Sequence, residues 1–107
     1  MGPRARFEEQ TVIVTHVKFA LSKPMTLDEA KAKFEGTAPK YRGREGLLRK
    51  TYLLSEDGLT AGAVYFWADR AAADRLYTDA WRETVTQVYG VAPDISFYHA
   101  PVTVENG

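Results

Sequence analysis

Two runs rich in β-branched, aromatic and aliphatic residues, Leu47–Ser55 and Thr60–Ala68, meet at Glu56-Asp57-Gly58-Leu59. Asp-Gly between apolar runs is a strong hairpin signal, because a two-residue turn needs the positive φ that glycine adopts without steric cost. A type I′ loop at Asp57-Gly58 sets Glu56 against Leu59, and the pairing then follows. Lys50 opposes Tyr65, Tyr52 opposes Ala63 and Leu48 opposes Trp67. The opposite face carries Arg49, Thr51, Leu53, Gly62, Val64 and Phe66. A three-residue loop with a bulge at Gly58 would slip this register by one and change the face that Lys50 shares; the first register is preferred.

The rest of the chain arranges itself around this hairpin. The run Thr11–Leu21 is β-branched and apolar on both parities over most of its length, which predicts a central strand covered on both sides. Thr26 and Glu29 form a T-x-x-E capping box, and Leu27, Ala30, Phe34 and Ala38 follow at helical spacing. Gly36 and Pro39 loosen that helix before the basic, Gly-punctuated loop Tyr41-Arg42-Gly43-Arg44-Glu45-Gly46. Asp69 caps a second helical region, from Arg70 to about Tyr89, whose apolar stripe runs through Ala73, Leu76, Tyr77, Ala80, Trp81, Val85, Val88 and Tyr89. Thr78-Asp79 divides it, since both residues favour caps over helix interiors. Gly90 ends it as a left-handed cap. A last strand runs from Asp94 to about Val104, with Pro101 marking an edge, a bulge or its end. Residues 1–9 are charged and aperiodic and read as a frayed lead-in.

The order β-α-β-β-α-β with right-handed crossovers gives a ferredoxin-like α+β fold, with a four-stranded antiparallel sheet and its helices on one face. All 107 residues read as a single domain of this kind. The other face carries Val64, Phe66 and Leu53, with no third layer to cover it. A second copy of the same sheet is the simplest cover, so a homodimer through the sheet face is expected.

Composition narrows the function. The 14 basic and 14 acidic side chains cancel, leaving none of the basic excess expected of a nucleic-acid partner. Cysteine is absent, which rules out disulfides, thiolate catalysis and Cys-based zinc or iron–sulfur sites. No apolar run approaches a membrane span and no leader opens the chain, so a cytoplasmic protein without a membrane partner is expected. There is no G-x-G-x-x-G, P-loop, G-x-S-x-G or H-E-x-x-H motif and no paired-carboxylate constellation. Arg42, Arg44, Arg49 and Lys50 cluster, but Glu45 interrupts them, as in a solvated loop.

The stretch Gly46-Leu47-Leu48-Arg49-Lys50-Thr51-Tyr52, the turn, and Ala61-Gly62-Ala63-Val64-Tyr65-Phe66-Trp67 resemble the YdhR-like mono-oxygenases. These belong to the dimeric α+β barrel superfamily, with the antibiotic-biosynthesis mono-oxygenases. Phe19-Ala20-Leu21-Ser22-Lys23-Pro24 is similar to the end of that family's first strand, and the order of elements matches over nearly the whole chain. The resemblance implies homodimers packed sheet to sheet. Some members oxidise phenolic or polycyclic substrates with O₂ and no metal, flavin or haem, whereas others bind haem, degrade small molecules or have no known activity. It also implies that Trp67, at the end of the third strand, lines a cavity between sheet and helices. The Asn that often stands four positions before this Trp is Ala63 here.

Oxygenation without a cofactor needs an electron-rich substrate anion, a dry pocket, a base or cationic donor, and aromatic walls. Lys50, Tyr52 and Tyr65 are therefore the catalytic candidates, Lys50 to generate or hold the anion and the two tyrosines to orient it. Trp67, Trp81, Tyr77 and His16 are the substrate-binding candidates, although aromatic residues at these spacings fit a plain core equally well. His16 also reads as a packed core or dimer-face residue, and His99 likewise; two distant histidines without a carboxylate cluster make a poor metal site. The expected protein is a cofactor-independent mono-oxygenase for a small apolar, aromatic molecule. The alternative is a non-catalytic dimeric barrel that binds a hydrophobic ligand or haem.

Overall fold

The computed structural model describes residues 12–106, so the lead-in expected over residues 1–9 lies outside the described residues. Strand β1, Ile13–Ala20, alternates strictly: Ile13, Thr15, Val17 and Phe19 are buried, and the residues between them are less so. Helix α1, Leu27–Thr37, begins at the expected capping box. The Glu29 amide donates to Thr26 Oγ1 at 3.1 Å, and the Thr26 amide donates to Glu29 Oε1 at 2.8 Å. Pro39 falls in the 3₁₀ turn Ala38–Lys40 that closes α1, where its missing N–H costs little.

Strands β2, Leu47–Leu54, and β3, Thr60–Trp67, form the hairpin. Lys50 opposes Tyr65 and Tyr52 opposes Ala63, as the turn chemistry predicts. Two details differ. The loop is longer than two residues: the Ser55 amide donates to the Thr60 carbonyl at 2.8 Å and the Gly58 amide to the Ser55 carbonyl at 2.9 Å. Asp57 Oδ1 accepts from both Ser55 Oγ and the Leu59 amide. Glu56 and Leu59 therefore belong to the loop, with Gly58 at φ 75°. The second difference is a register shift between Leu47 and Arg49, which pairs Leu47, not Leu48, with Trp67. The bulge turns Leu47 toward the core and leaves Leu48 exposed.

Helices α2, Arg70–Leu76, and α3, Asp79–Tyr89, are separate, as the Thr78-Asp79 pair predicts. Asp69 accepts from the Ala72 amide at 2.9 Å and Thr78 from the Trp81 amide at 3.1 Å, so each helix has its own N-cap. Gly90, at φ 76°, ends α3. Strand β4 is shorter than expected, Asp94–His99. Its last pairing contact is the long Ala100 amide bond to the Val12 carbonyl, 3.4 Å, and Pro101 has no N–H with which to continue the ladder.

The strands lie in the order β2-β3-β1-β4, all antiparallel neighbours, giving the ferredoxin-like α+β fold. One sheet face joins the helices in a core of Ile13, Val17, Phe19, Ala63, Tyr65, Trp67, Ala72, Ala73, Leu76 and Tyr77. The other face presents Val14, His16, Lys18, Val64, Phe66, Leu53 and Tyr98 without a covering element among the described residues. No helix among the described residues is long and apolar enough to cross a membrane.

Candidate functional site

A cavity of about 230 Å³ lies between the sheet and α3. Its floor is Phe19 of β1, Lys50 and Tyr52 of β2, and Gly62, Ala63 and Tyr65 of β3. Ala80, Trp81, Thr84, Val85, Val88 and Tyr89 of α3 form its roof, and Thr37, Lys40 and Tyr41 close one end. A small residue on the floor makes the room: Ala63 faces α3 where a larger side chain would fill the space.

Lys50 is the unusual group. Its Nζ lies 3.3 Å from the ring centroid of Tyr41, 4.0 Å from that of Tyr52 and 4.7 Å from that of Tyr65. Among the described residues it forms no ion pair, and no Asp or Glu lines the cavity. Burial in apolar surroundings drives its pKa down to about 7. The three ring faces pull the other way, because they attract the ammonium form. The amine therefore stands ready in both protonation states near neutral pH.

Two of the phenols around it, Tyr52 and Tyr65, are kept protonated. Burial is the first cause for each: it raises Tyr52 and, more strongly, Tyr65, whose neighbours Tyr41 and Tyr77 add to the effect. Tyr89, across the cavity, is pushed up to about 12 by burial. The hydroxyls of Tyr52 and Thr37 bond at 2.8 Å, and Trp81 Nε1 donates to Tyr41 Oη at 3.0 Å. These bonds hold Tyr52 and Tyr41 as two walls of the cage.

The structure brings together four of the residues singled out from the sequence: Lys50, Tyr52, Tyr65 and Trp81. Trp67 and Tyr77 stand one row behind. Trp67 is 0% exposed, stacks on Tyr65 at 5.7 Å and donates from Nε1 to Thr15 Oγ1 at 3.0 Å; the same Oγ1 lies 2.6 Å from Tyr77 Oη. They back the wall and do not line the cavity. His16 lies on the far face of the sheet, between Val64 and Ser96, away from Lys50. Its parity differs from that of Val17 and Phe19, which puts it out of reach of the helix side. His99, exposed at the end of β4, does not reach the cavity either. A haem held in this cavity would thus have no histidine ligand.

Sequence reasoning missed Tyr41, Tyr89 and Thr37. Tyr41 follows the Pro39 turn, where periodicity has no meaning, yet the turn swings its ring over Lys50. Tyr89 was legible only as part of the α3 stripe; its ring stacks on Phe19 at 4.1 Å. Among the described residues, no group of three or more His, Cys, Asp or Glu could hold a metal ion.

A four-stranded antiparallel sheet with helices on one face is an architecture shared with solved mono-oxygenases. The mono-oxygenase ActVA-Orf6 of Streptomyces coelicolor, solved with nanaomycin D, is 20% identical with a TM-score of 0.68, covering 95% of this chain and 98% of that one. SnoaB, a cofactor-independent oxygenase from Streptomyces nogalater, is 18% identical with a TM-score of 0.65, covering 90% and 99%. Protein SO0527 from Shewanella oneidensis is 25% identical with a TM-score of 0.63, covering 84% and 91%. No protein-family model matches the sequence, and no curated protein is significantly similar to it. The likeness to the two oxygenases is one of fold.

Proposed function

We propose that this protein is a cofactor-independent mono-oxygenase acting on a small phenolic substrate in the cavity. The observation that carries the reading is Lys50: a half-buried amine, caged by three tyrosines and without an acidic partner among the described residues, at the wall of an apolar cavity. The shared fold with a cofactor-independent oxygenase supports it. At about 230 Å³ the cavity lies below the ~300–1,000 Å³ usual for ligand pockets. One or two fused rings suit it better than four.

In this reading Lys50 takes the phenolic proton and its ammonium then holds the phenolate, while Tyr65 donates a hydrogen bond to the anion. The anion passes one electron to O₂, and recombination places a peroxy group on the para ring carbon. Loss of water from the hydroperoxide leaves a quinone. One oxygen atom stays on the ring, and the other leaves as water with two hydrogens of the substrate. Trp81, Val85 and Phe19 keep bulk water from the radical pair.

The open sheet face supports pairing with a second copy, because Val64, Phe66, Leu53 and Tyr98 would otherwise face solvent together. A second reading, retention of a hydrophobic ligand without turnover, is favoured by one observation. Ala63 puts a methyl group on the cavity floor where the oxygenases it resembles often carry an Asn.

O₂ uptake by chelator-treated protein with an electron-rich dihydroxynaphthalene separates the two. Substrate-dependent uptake that falls about 10²-fold in Lys50→Met is expected. Uptake that Lys50→Met leaves unchanged removes Lys50 from the reaction, and absence of uptake despite saturable binding favours the ligand-binding reading.

A further inference from the structure

Surface lysines make poor carbonyl traps in water. They are protonated at neutral pH, so they lack a free lone pair, and water hydrolyses any imine they form. Lys50 escapes both limits by its position. Among the described residues, the charged and titratable groups around its amine are Tyr41 beyond the 3₁₀ turn, Tyr52 on its own strand, Tyr65 on β3, Tyr89 on α3, and Lys40 at the cavity end. None is a carboxylate that would hold the ammonium form. A planar group seated over the floor would lie under Trp81 and Val85, both half-buried, which would limit the water able to attack a C=N bond.

We infer that Lys50 is a carbonyl-capturing nucleophile, its side-chain amine forming an imine with an aromatic aldehyde seated in the cavity. The Nζ lone pair adds to the carbonyl carbon, and the C=O π electrons move to oxygen. One amine proton passes to that oxygen to give a carbinolamine. The hydroxyl then leaves as water with the second amine proton, and the C=N bond remains. The neighbouring phenols suit both proton transfers: the Tyr65 hydroxyl, kept in its neutral form by burial, can donate to the departing oxygen. No oxidant is needed, so the chemistry is independent of the oxygenase reading, although both use the same amine.

Reductive trapping tests it. The intact protein is incubated under nitrogen with 2-naphthaldehyde and sodium cyanoborohydride near neutral pH, and the modified lysines are mapped by peptide mass spectrometry. The chain has six lysines, at 18, 23, 31, 33, 40 and 50, so the other five serve as internal controls. Lys50 is expected to carry the secondary-amine adduct at least about tenfold more than the mean of the others. Filling the cavity with Ala63→Phe is expected to bring Lys50 down to their level. Labelling spread evenly, or Lys50 labelled least, overturns the inference in the wild-type protein alone. Preferential labelling that survives Ala63→Phe in a folded protein overturns it as well, because the amine would then be reacting outside the cavity. Failure here leaves O₂ uptake untouched, and loss of O₂ uptake leaves trapping untouched, so the two readings stand or fall separately.

Discussion

Lys50 concentrates most of the site's chemistry in one side chain, and that placement has a cost in stability. In the unfolded chain its amine titrates in the ordinary lysine range, near 10.4; in the fold burial lowers it to about 7. Between those values the unfolded state binds more protons, so the Lys50 contribution to stability rises with pH across this window. Below about 7 both states are protonated and the full penalty applies. Lys50→Met, which keeps the length and loses the charge, should therefore stabilise the fold by about 1–3 kcal/mol at about pH 6, net of the lost ring contacts. The gain should shrink toward zero by about pH 10. Urea midpoints at the two pH values measure this; a gain that grows with pH would have the wrong sign.

At the scale of elements, β3 is the strand that makes the cavity possible. Ala63 keeps the floor low, and its neighbour Gly62 lies so close to β1 that a Cβ there would collide with the Val17 carbonyl. Backbone cannot yield as a flexible side chain can. Gly62→Ala should thus destabilise the protein by more than about 2 kcal/mol, read as a fall in urea midpoint, whereas an unchanged midpoint would mean that the β1–β3 pairing is looser than described. The hairpin explains how far the sequence can be read. Asp57-Gly58 and the apolar runs beside it were enough to place Lys50 opposite Tyr65 and Tyr52 opposite Ala63, and Thr78-Asp79 was enough to divide the second helical region. The bulge at Leu48 was not legible, because Leu47 and Leu48 are equally apolar and neither parity is marked. Periodicity also gives a face but not a depth. It put Trp67, Tyr77 and Tyr65 on the helix side together, and only packing shows that Tyr65 lines the cavity while the other two stand behind it. For His16 a signal was present: it shares its parity with Lys18, opposite Val17 and Phe19, and that pattern sends it to the far face.

At the scale of the whole molecule, one sheet face is spent on the helices and the cavity, and the proposed two-fold pairing covers the other. A stable pair needs roughly 800 Å² of buried surface on each partner, which a four-stranded face can offer. Val64→Asp puts an unpaired charge at the middle of that face, on the opposite side of the sheet from the Lys50 amine, and should shift a wild-type dimer toward monomer in light scattering at micromolar concentration. A wild-type protein that is already monomeric there would contradict the pairing. The cavity account does not depend on it, since every residue of the cage comes from one chain. That account is tested most directly by the absorption spectrum of a naphthol bound to the protein just below the naphthol's own pKa. The prediction is a naphtholate band in the wild type that Lys50→Met abolishes while binding persists. A bound naphthol that keeps its neutral spectrum, or an anion band that survives without Lys50, would contradict it.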